Sequence, residues 1–214
     1  MPNISVYALG RRVGMCVANV TVNPNQAAML GYGAEILLGS AFKVAVLFLI
    51  ASLLRVVFEV SVLLLVSGLL RTLSGGAHCS AYYRCLVTSV LIFTSLGYMI
   101  QIMFPSLQRL PGLILAGVIM LSFYIYWRYA PQAPLNKPLK SKSTEDRFRK
   151  LTLISALLLS IVCIIVGPGY LISWIIAFGL LWQAFTLAPL GHLFIKKLDI
   201  LLSLSSWKGG EAKC

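Results

Sequence analysis

Charged residues are scarce in this chain, and acidic residues are the scarcest of them. Only 11% of the 214 residues are charged, with 6 Asp and Glu against 18 Lys and Arg. Because a soluble domain contains about 25% charged residues, the composition excludes an ordinary soluble enzyme or binding domain. The 59% content of hydrophobic residues and the mean hydropathy of +0.89 favour a helical membrane protein.

Other common signals are also missing. The beginning of the chain has no continuous apolar run and no small-residue cleavage site, so we expect no secretory signal peptide. The 5 cysteines are an odd number at irregular spacing, which argues against a disulfide framework and for free thiols. No internal repeat and no low-complexity tract is present.

Long apolar segments predict an all-α, polytopic membrane protein with about six transmembrane helices. The segments are Ile36–Leu54, Val56–Leu70, Leu86–Phe104, Gly112–Trp127, Leu151–Val166 and Tyr170–Ala188. A spanning helix needs about 20 residues, so the second, fourth and fifth segments must extend into their flanks or cross a thinner bilayer. At Arg55 two alternatives stay open, because residues 36–70 could form a hairpin or one long bent helix.

The positions of the basic residues predict the orientation in the membrane. With a cytoplasmic N-terminus, the external loops contain only Arg55 and Arg109, and most other Lys and Arg residues lie inside. This bias follows the positive-inside rule and places both termini in the cytoplasm. The predicted organisation is one integral-membrane domain, 1–214, with a cytoplasmic or interfacial segment at 1–34, a cytoplasmic loop at 71–85 and a basic cytoplasmic loop at 128–150.

The polar stretch 71–85 contains the residue types of a thiol nucleophile and its base. It holds His78, which is one of 2 histidines, together with Cys79 and Cys85. A histidine can take a thiol proton and return it to a leaving amine. Cys85 stands just before the apolar run where a helix is expected to begin, and helix N-termini favour a thiolate.

Contact between His78 and Cys85 depends on a break in the helix. Residues seven apart on one straight helix are separated by about 10.5 Å along its axis, which is too far for contact. Gly75-Gly76 allows a turn that returns His78 towards Cys85. The residue chemistry leaves three alternatives: a His–Cys dyad, structural polar residues at the interface, or a metal site, for which no C-x2-C spacing and no fourth ligand is present. It does not choose between Cys79 and Cys85.

Lys43 lies within the first apolar segment, where an unpaired charge costs about 2.5–3.5 kcal/mol. Glu35, two turns earlier, and Glu59, on the next segment, are its candidate partners. We expect a structural ion pair between the first two helices. The alternative function is a small membrane transporter or lipid-binding protein with an intramembrane polar site at Glu35, Lys43 and Glu59.

Three short motifs occur in order along the chain. They are Tyr32-Gly33-Ala34-Glu35-Ile36; Arg71 with Gly75-Gly76-Ala77-His78 and Cys85; and Ala130-Pro131 with Pro134-Leu135-Asn136-Lys137-Pro138. Together they resemble the accessory gene regulator B family, which are integral-membrane cysteine endopeptidases of Gram-positive bacteria. The resemblance covers nearly the whole chain.

The resemblance implies processing of a small peptide pheromone precursor in quorum sensing. Cys85 would be the nucleophile and His78 the general base and acid, while Arg71 and Gly75 occupy motif positions without an assigned chemical step. Release of the C-terminal tail would leave a thioester, from which a cysteine or serine of the precursor closes a thiolactone or lactone ring. The resemblance further implies a homodimer in the cell membrane whose catalytic loop, 71–85, faces the cytoplasm. No cofactor, metal or nucleic acid is expected.

The basic loop 128–150 has two interpretations. Its lysines and arginines could lie on anionic lipid headgroups, each contributing about 1 kcal/mol near the surface. Alternatively Lys137, Lys140 and Lys142 could bind an acidic tail of the precursor through salt-sensitive ion pairs.

Overall fold

The computed structural model describes residues 24–132 and 142–204, apart from the side chains of residues 24–32, 34, 35 and 204. These two ranges contain seven helices and no strand. The helices are α1 (Pro24–Leu53), α2 (Val57–Ser74), α3 (Tyr82–Leu107), α4 (Gly112–Tyr129), α5 (Lys142–Val166), α6 (Leu171–Leu187) and α7 (Pro189–Leu204). The predicted all-α fold is confirmed.

Five of the helices, α1 to α5, are long and apolar enough to cross a membrane. The helices α6 and α7 are bent by 83° at their junction, and the pair adds a sixth crossing if it forms one broken span. Large apolar side chains point outward, among them Leu37 at 71%, Leu113 at 81% and Ile165 at 78% exposure. Such faces are suited to lipid rather than to water. A protein with about six membrane spans is therefore confirmed, while its orientation stays a prediction.

A turn at Arg55 separates α1 from α2. Arg55 has a φ of 58°, in the left-handed region, and the amide of Val56 donates to the carbonyl oxygen of Ala51 at 2.9 Å. The chain therefore forms a hairpin here, and the alternative of one long bent helix is wrong. Because the hairpin is antiparallel, residues near the end of α1 lie beside residues near the start of α2.

Several helices extend beyond the apolar segments. The helix α3 begins at Tyr82 rather than Leu86, and α5 begins at Lys142 rather than Leu151. The residues added to α5 are mostly lysine, arginine and glutamate, which favour helices but not apolar surroundings, so hydropathy alone does not detect them. Part of the predicted loop 128–150 is consequently helical. The helix α7 was not predicted, because Pro189 looks like an end although proline is also common at the first position of a helix.

The helix α6 forms the centre of the bundle. It is apolar on all sides, as expected of a helix that other helices surround. Trp174, Ile175, Ala177 and Leu180 are at most 1% exposed, and α6 packs against α2, α3, α4 and α5. The Tyr126 hydroxyl donates to the carbonyl oxygen of Leu180 at 2.9 Å and joins α4 to this core. The C-terminal end of α6 thereby becomes a fixed platform for the polar residues described next.

Candidate active site at the glycine loop

Two glycines end α2 and redirect the chain. Gly75 has a φ of 73° and Gly76 a φ of 130°, which are values that glycine adopts far more readily than other residues. We name the segment between α2 and α3, residues 75–81, the glycine loop. Residues 71–104 therefore do not form one straight helix, and the geometric obstacle to an approach of His78 to Cys85 is removed.

Arg71 and the end of α6 hold the glycine loop in place. The Arg71 guanidinium donates to the carbonyl oxygen of Ala77 at 2.7 Å. The amide of Ala77 donates to the carbonyl oxygen of Thr186 at 3.0 Å. The side chain of Gln183 donates to the carbonyl oxygen of Gly75 at 2.8 Å. Arg71 thus positions the loop. The sequence predicts no chemical step for Arg71 and does not point to Gln183 or Thr186.

The loop motif that begins at Ala130-Pro131 packs directly against the loop motif that contains Gly75. A Cβ atom on Gly75 would lie 2.0 Å from the carbonyl oxygen of Gln132, so only glycine permits this approach. The amide of Gln132 donates to the carbonyl oxygen of Ser74 at 2.8 Å, and its side chain donates to that of Leu187 at 2.7 Å. The ring Nε2 of His192 lies 2.7 Å from Gln132 Oε1. The two motifs therefore meet at Gly75, which explains why a glycine stands there.

An ion pair holds the other end of the glycine loop. Asp199 of α7 lies 3.4 Å from the Arg84 guanidinium and accepts hydrogen bonds from the amide and the hydroxyl of Ser80 at 3.1 and 2.7 Å. This is the one ion pair within residues 24–132 and 142–204. On the same side, Ile195 of α7 packs against Ala77 and covers the loop.

A cavity of about 230 Å³ lies beneath the glycine loop, between α1, α2, α3 and α6. Its polar end contains side chains with acid–base or ionic chemistry, namely Lys43, Arg71, His78, Cys79 and Cys85. Its remaining wall is largely apolar and includes Val44, Leu47, Leu64, Ile92 and Phe93. The cavity joins a polar end to a largely apolar interior.

Cys85 is a half-buried free thiol in the first turn of α3. Its amide donates to the carbonyl oxygen of Ala81 at 3.0 Å, so this N–H is not available to a substrate. Its Sγ atom accepts a hydrogen bond from Lys43 Nζ at 3.4 Å. The prediction that the helix begins after Cys85 is wrong by one turn, because the polar residues 82–84 are already helical.

Cys79 differs from Cys85 in burial. It is 2% exposed, and its thiol donates to Thr88 Oγ1 at 3.5 Å. Burial is the largest influence on this group and raises the pKa of the Cys79 thiol, against a smaller lowering by the hydrogen bond with Thr88. Cys79 therefore stays protonated at neutral pH, which disfavours it as a nucleophile.

His78 lies at the exposed mouth of the cavity. Its Nδ1 is 3.0 Å from the carbonyl oxygen of Cys79. Because a carbonyl oxygen only accepts hydrogen bonds, this contact assigns the proton of the neutral ring to Nδ1 and leaves Nε2 as the acceptor. Within the described residues no hydrogen bond joins His78 to Cys85, although both line the same cavity.

The predicted pairing of Lys43 with Glu59 is wrong. Glu59 is in the first turn of α2, beside the hairpin turn, whereas Lys43 is ten residues, or about 15 Å, before the end of α1. Lys43 instead contacts Cys85, which no spacing along the chain could indicate. The side chain of the other candidate partner, Glu35, lies outside the described residues.

The remaining predicted site residues lie apart from the cavity or outside the residues that the structure describes. Lys142 is exposed at the start of α5, and Lys137 and Lys140 lie outside the described residues. Across 24–132 and 142–204, no three His, Cys, Asp or Glu side chains group closely enough to hold a metal ion.

Comparison with known proteins identifies the family. The family model named "Accessory gene regulator B" matches residues 14–187. The accessory gene regulator protein B of Staphylococcus intermedius is 31% identical over 158 residues, which cover 74% of this chain and 80% of the relative. An AgrB-like protein of Clostridium perfringens is 25% identical over 182 residues, which cover 80% of this chain and 85% of the relative.

The accessory gene regulator protein B of Staphylococcus aureus strain N315 is 28% identical over 158 residues, covering 74% of this chain and 80% of the relative. No solved structure matches the chain. The family match contains α1, α2, α3 and α6 together with the whole glycine loop, and so includes every element that builds the polar end of the cavity. On this evidence the chain belongs to the accessory gene regulator B family.

Proposed function

We propose that the protein is a membrane cysteine endopeptidase that removes the C-terminal tail of a small peptide pheromone precursor in quorum sensing. One observation carries the proposal: a single cavity collects Cys85 and His78, with Arg71 fixing the loop between them. A thiol and an imidazole at the polar end of a largely apolar cavity are suited to nucleophilic attack on a peptide carbonyl.

The first step transfers the peptide to Cys85. His78 Nε2 takes the thiol proton, and the Cys85 sulfur attacks the carbonyl carbon that precedes the tail. When the tetrahedral intermediate collapses, the C–N bond breaks and the imidazolium gives its proton to the leaving amine. The hydrogen bond from His78 Nδ1 to the carbonyl oxygen of Cys79 supports the role of His78 as general base and acid, because it orients the ring without a carboxylate partner. The imidazole–thiol contact then forms when substrate binds, as catalytic hydrogen bonds often do.

The second step closes a ring. A cysteine or serine of the bound precursor gives its proton to His78 Nε2, which is neutral again, and attacks the thioester carbonyl carbon. The bond between that carbon and the Cys85 sulfur breaks, and Cys85 leaves as thiolate. Tethering gives this internal nucleophile a high effective molarity relative to water. The apolar wall of the cavity, including Leu47, Leu64 and Ile92, supports cyclisation over hydrolysis because it limits water around the thioester.

Substrate recognition involves the basic loop in this proposal. The precursor reaches the site from the cytoplasmic face of the cell membrane, and Lys137, Lys140 and Lys142 bind its acidic tail. The segment 130–132 supports this arrangement, because it contacts the glycine loop at Gly75 and leads directly into the basic stretch. The protein acts as a homodimer in lipid.

The geometry gives less support to a transporter or lipid-binding protein. That alternative needs Lys43 and Glu59 at one intramembrane site, but Glu59 lies at the other end of the α1–α2 hairpin. Lys43 joins the cavity of Cys85 instead.

Co-expression with a cognate precursor tests the proposal. We expect Cys85→Ala and His78→Ala to abolish tail release, followed by the mass of the precursor. Cys79→Ala is the matched control and is expected to cleave at the wild-type rate, because its buried thiol takes no part. Wild-type cleavage by Cys85→Ala would refute the assignment of the nucleophile. Loss of cleavage in a folded Cys79→Ala variant would reopen the choice between the two thiols.

A further inference from the structure

We propose that Lys43 is a catalytic residue whose ammonium group stabilises the thiolate of Cys85. The proposal rests on the proposed function, in which Cys85 is the nucleophile. It assigns a chemical role to a cation that lies in the first membrane span and belongs to neither of the loop motifs.

The contact between the two side chains is direct and long-range in sequence. Lys43 Nζ donates to Cys85 Sγ at 3.4 Å across 42 positions of the chain. Lys43 is carried by α1, which packs against α3. A lysine on this face of α1 therefore reaches the reacting atom from inside the bundle, whereas His78 reaches the cavity from its exposed mouth.

The surroundings of Lys43 favour an anionic partner. The neighbouring cavity wall is apolar at Val44 and Leu47, and an unpaired cation within a membrane span is costly. Among the carboxylates whose side chains the structure describes, which do not include that of Glu35, none lies within ion-pair distance of Nζ, and the ion pair found there joins Arg84 and Asp199. The thiolate of Cys85 would satisfy this cation, and the cation would in turn stabilise the thiolate.

The other charged or titratable groups at this site have different positions. Arg71 of α2 donates to the Ala77 carbonyl oxygen, and Asp199 of α7 is paired with Arg84 of α3. In the glycine loop, Cys79 is buried and protonated and His78 contacts a carbonyl oxygen. The residues that α6 contributes to the cavity wall, Trp182, Gln183 and Thr186, are uncharged. Lys43 is therefore the cation in direct contact with Sγ.

The role is consistent with the proton balance of the reaction. The thiol proton leaves to His78 Nε2, and Lys43 remains an ammonium ion throughout. As the S–C bond forms and the C–N bond breaks, the imidazolium proton goes to the leaving amine. When the ring closes, the precursor's cysteine or serine gives its proton to His78 Nε2, the S–C bond breaks, and the sulfur regains its negative charge beside Lys43.

Alkylation of Cys85 in the purified full-length protein tests this role without a precursor. Iodoacetamide labelling is followed by mass spectrometry of the Cys85 peptide at a series of pH values. In Lys43→Met we expect labelling of Cys85 at pH 7 to slow about tenfold, because the cation that stabilises the reactive thiolate is lost. Lys43→Arg should stay close to wild type because it keeps the charge. The matched control Lys197→Met, at an exposed position of α7, should not change the profile.

The outcomes separate this inference from the proposed function. If Lys43→Met and the polar neutral variant Lys43→Gln both label Cys85 with the wild-type pH profile, the role of Lys43 is refuted, whatever happens to cleavage. Lys43→Gln provides the measurement if Lys43→Met does not elute as a folded protein on size exclusion. If the labelling shift occurs but Cys85→Ala still cleaves the precursor, the peptidase assignment fails and the Lys43–Cys85 coupling stands.

Discussion

Replacing Gly75 by alanine should disturb the site strongly. The φ of 73° and ψ of −146° place Gly75 in a region that is nearly exclusive to glycine, at a cost of about 1–3 kcal/mol for another residue. The new Cβ would also lie 2.0 Å from the carbonyl oxygen of Gln132, so the segment 130–132 must move. That movement weakens the hydrogen bonds from Gln132 to Ser74 and from Gln183 to Gly75, each of which contributes about 1 kcal/mol to the free energy of unfolding.

The expected total is a loss of about 3 kcal/mol, which corresponds to a fall of about 6–12 °C in the melting temperature. Tail release should fall by about 100-fold, because a displacement of about 1 Å at His78 suffices for such a loss. Thermal unfolding in detergent and mass spectrometry of the co-expressed precursor measure the two effects.

Gly117→Ala is the matched control for Gly75→Ala. No atom lies within 4 Å of its added Cβ, and it occupies the interior of α4, where alanine is favoured over glycine by about 0.5–1 kcal/mol. We expect its melting temperature and cleavage rate to equal or exceed those of the wild type. A Gly75→Ala variant that melts and cleaves like the wild type would refute the packing of the two motifs described above.

Three further outcomes are expected from the same preparations. Arg71→Lys keeps the positive charge but loses the planar guanidinium that reaches the Ala77 carbonyl oxygen, so the rate of tail release should fall at least about tenfold at unchanged expression. An unchanged rate would contradict the positioning role of Arg71. Replacing Lys137, Lys140 and Lys142 by glutamate should slow tail release, and release by the wild type should slow as ionic strength rises. Rates that do not depend on salt would exclude ion-pair recognition of the tail. Because burial raises the pKa of the Cys79 thiol, its alkylation should appear only at alkaline pH, and rapid labelling at pH 7 would contradict its buried position.

The membrane segments could be predicted from sequence because hydropathy reports the surroundings of each segment directly. The apolar segments correspond to helices α1 to α6, and the turn signals at Arg55 and Gly75 correspond to real breaks. The extensions of α3 and α5 were missed because their residues are polar but helix-favouring. The helix α7 was missed because Pro189 is compatible with either the end or the start of a helix.

In the candidate site, only the residues whose side chains have a characteristic reactivity could be predicted from the sequence. His78, Cys79 and Cys85 stand out because histidine and thiol are rare and reactive, and only the family resemblance distinguishes Cys85 from Cys79. By contrast, Gln132, Gln183 and Thr186 are ordinary polar residues, and their roles depend on which helices meet. Lys43 stands out for its charge, but the predicted pairing with Glu59 of α2 is wrong because Lys43 contacts Cys85 of α3.

The bend between α6 and α7 has a consequence for how such a site tolerates divergence. The last carbonyl groups of a helix have no partner within it, and here those of Thr186 and Leu187 accept hydrogen bonds from Ala77 and Gln132. These acceptors belong to the main chain, so no side-chain replacement at either position deletes them. The docking of both loops at these two carbonyl groups therefore depends on where α6 stops and not on which side chains positions 186 and 187 carry.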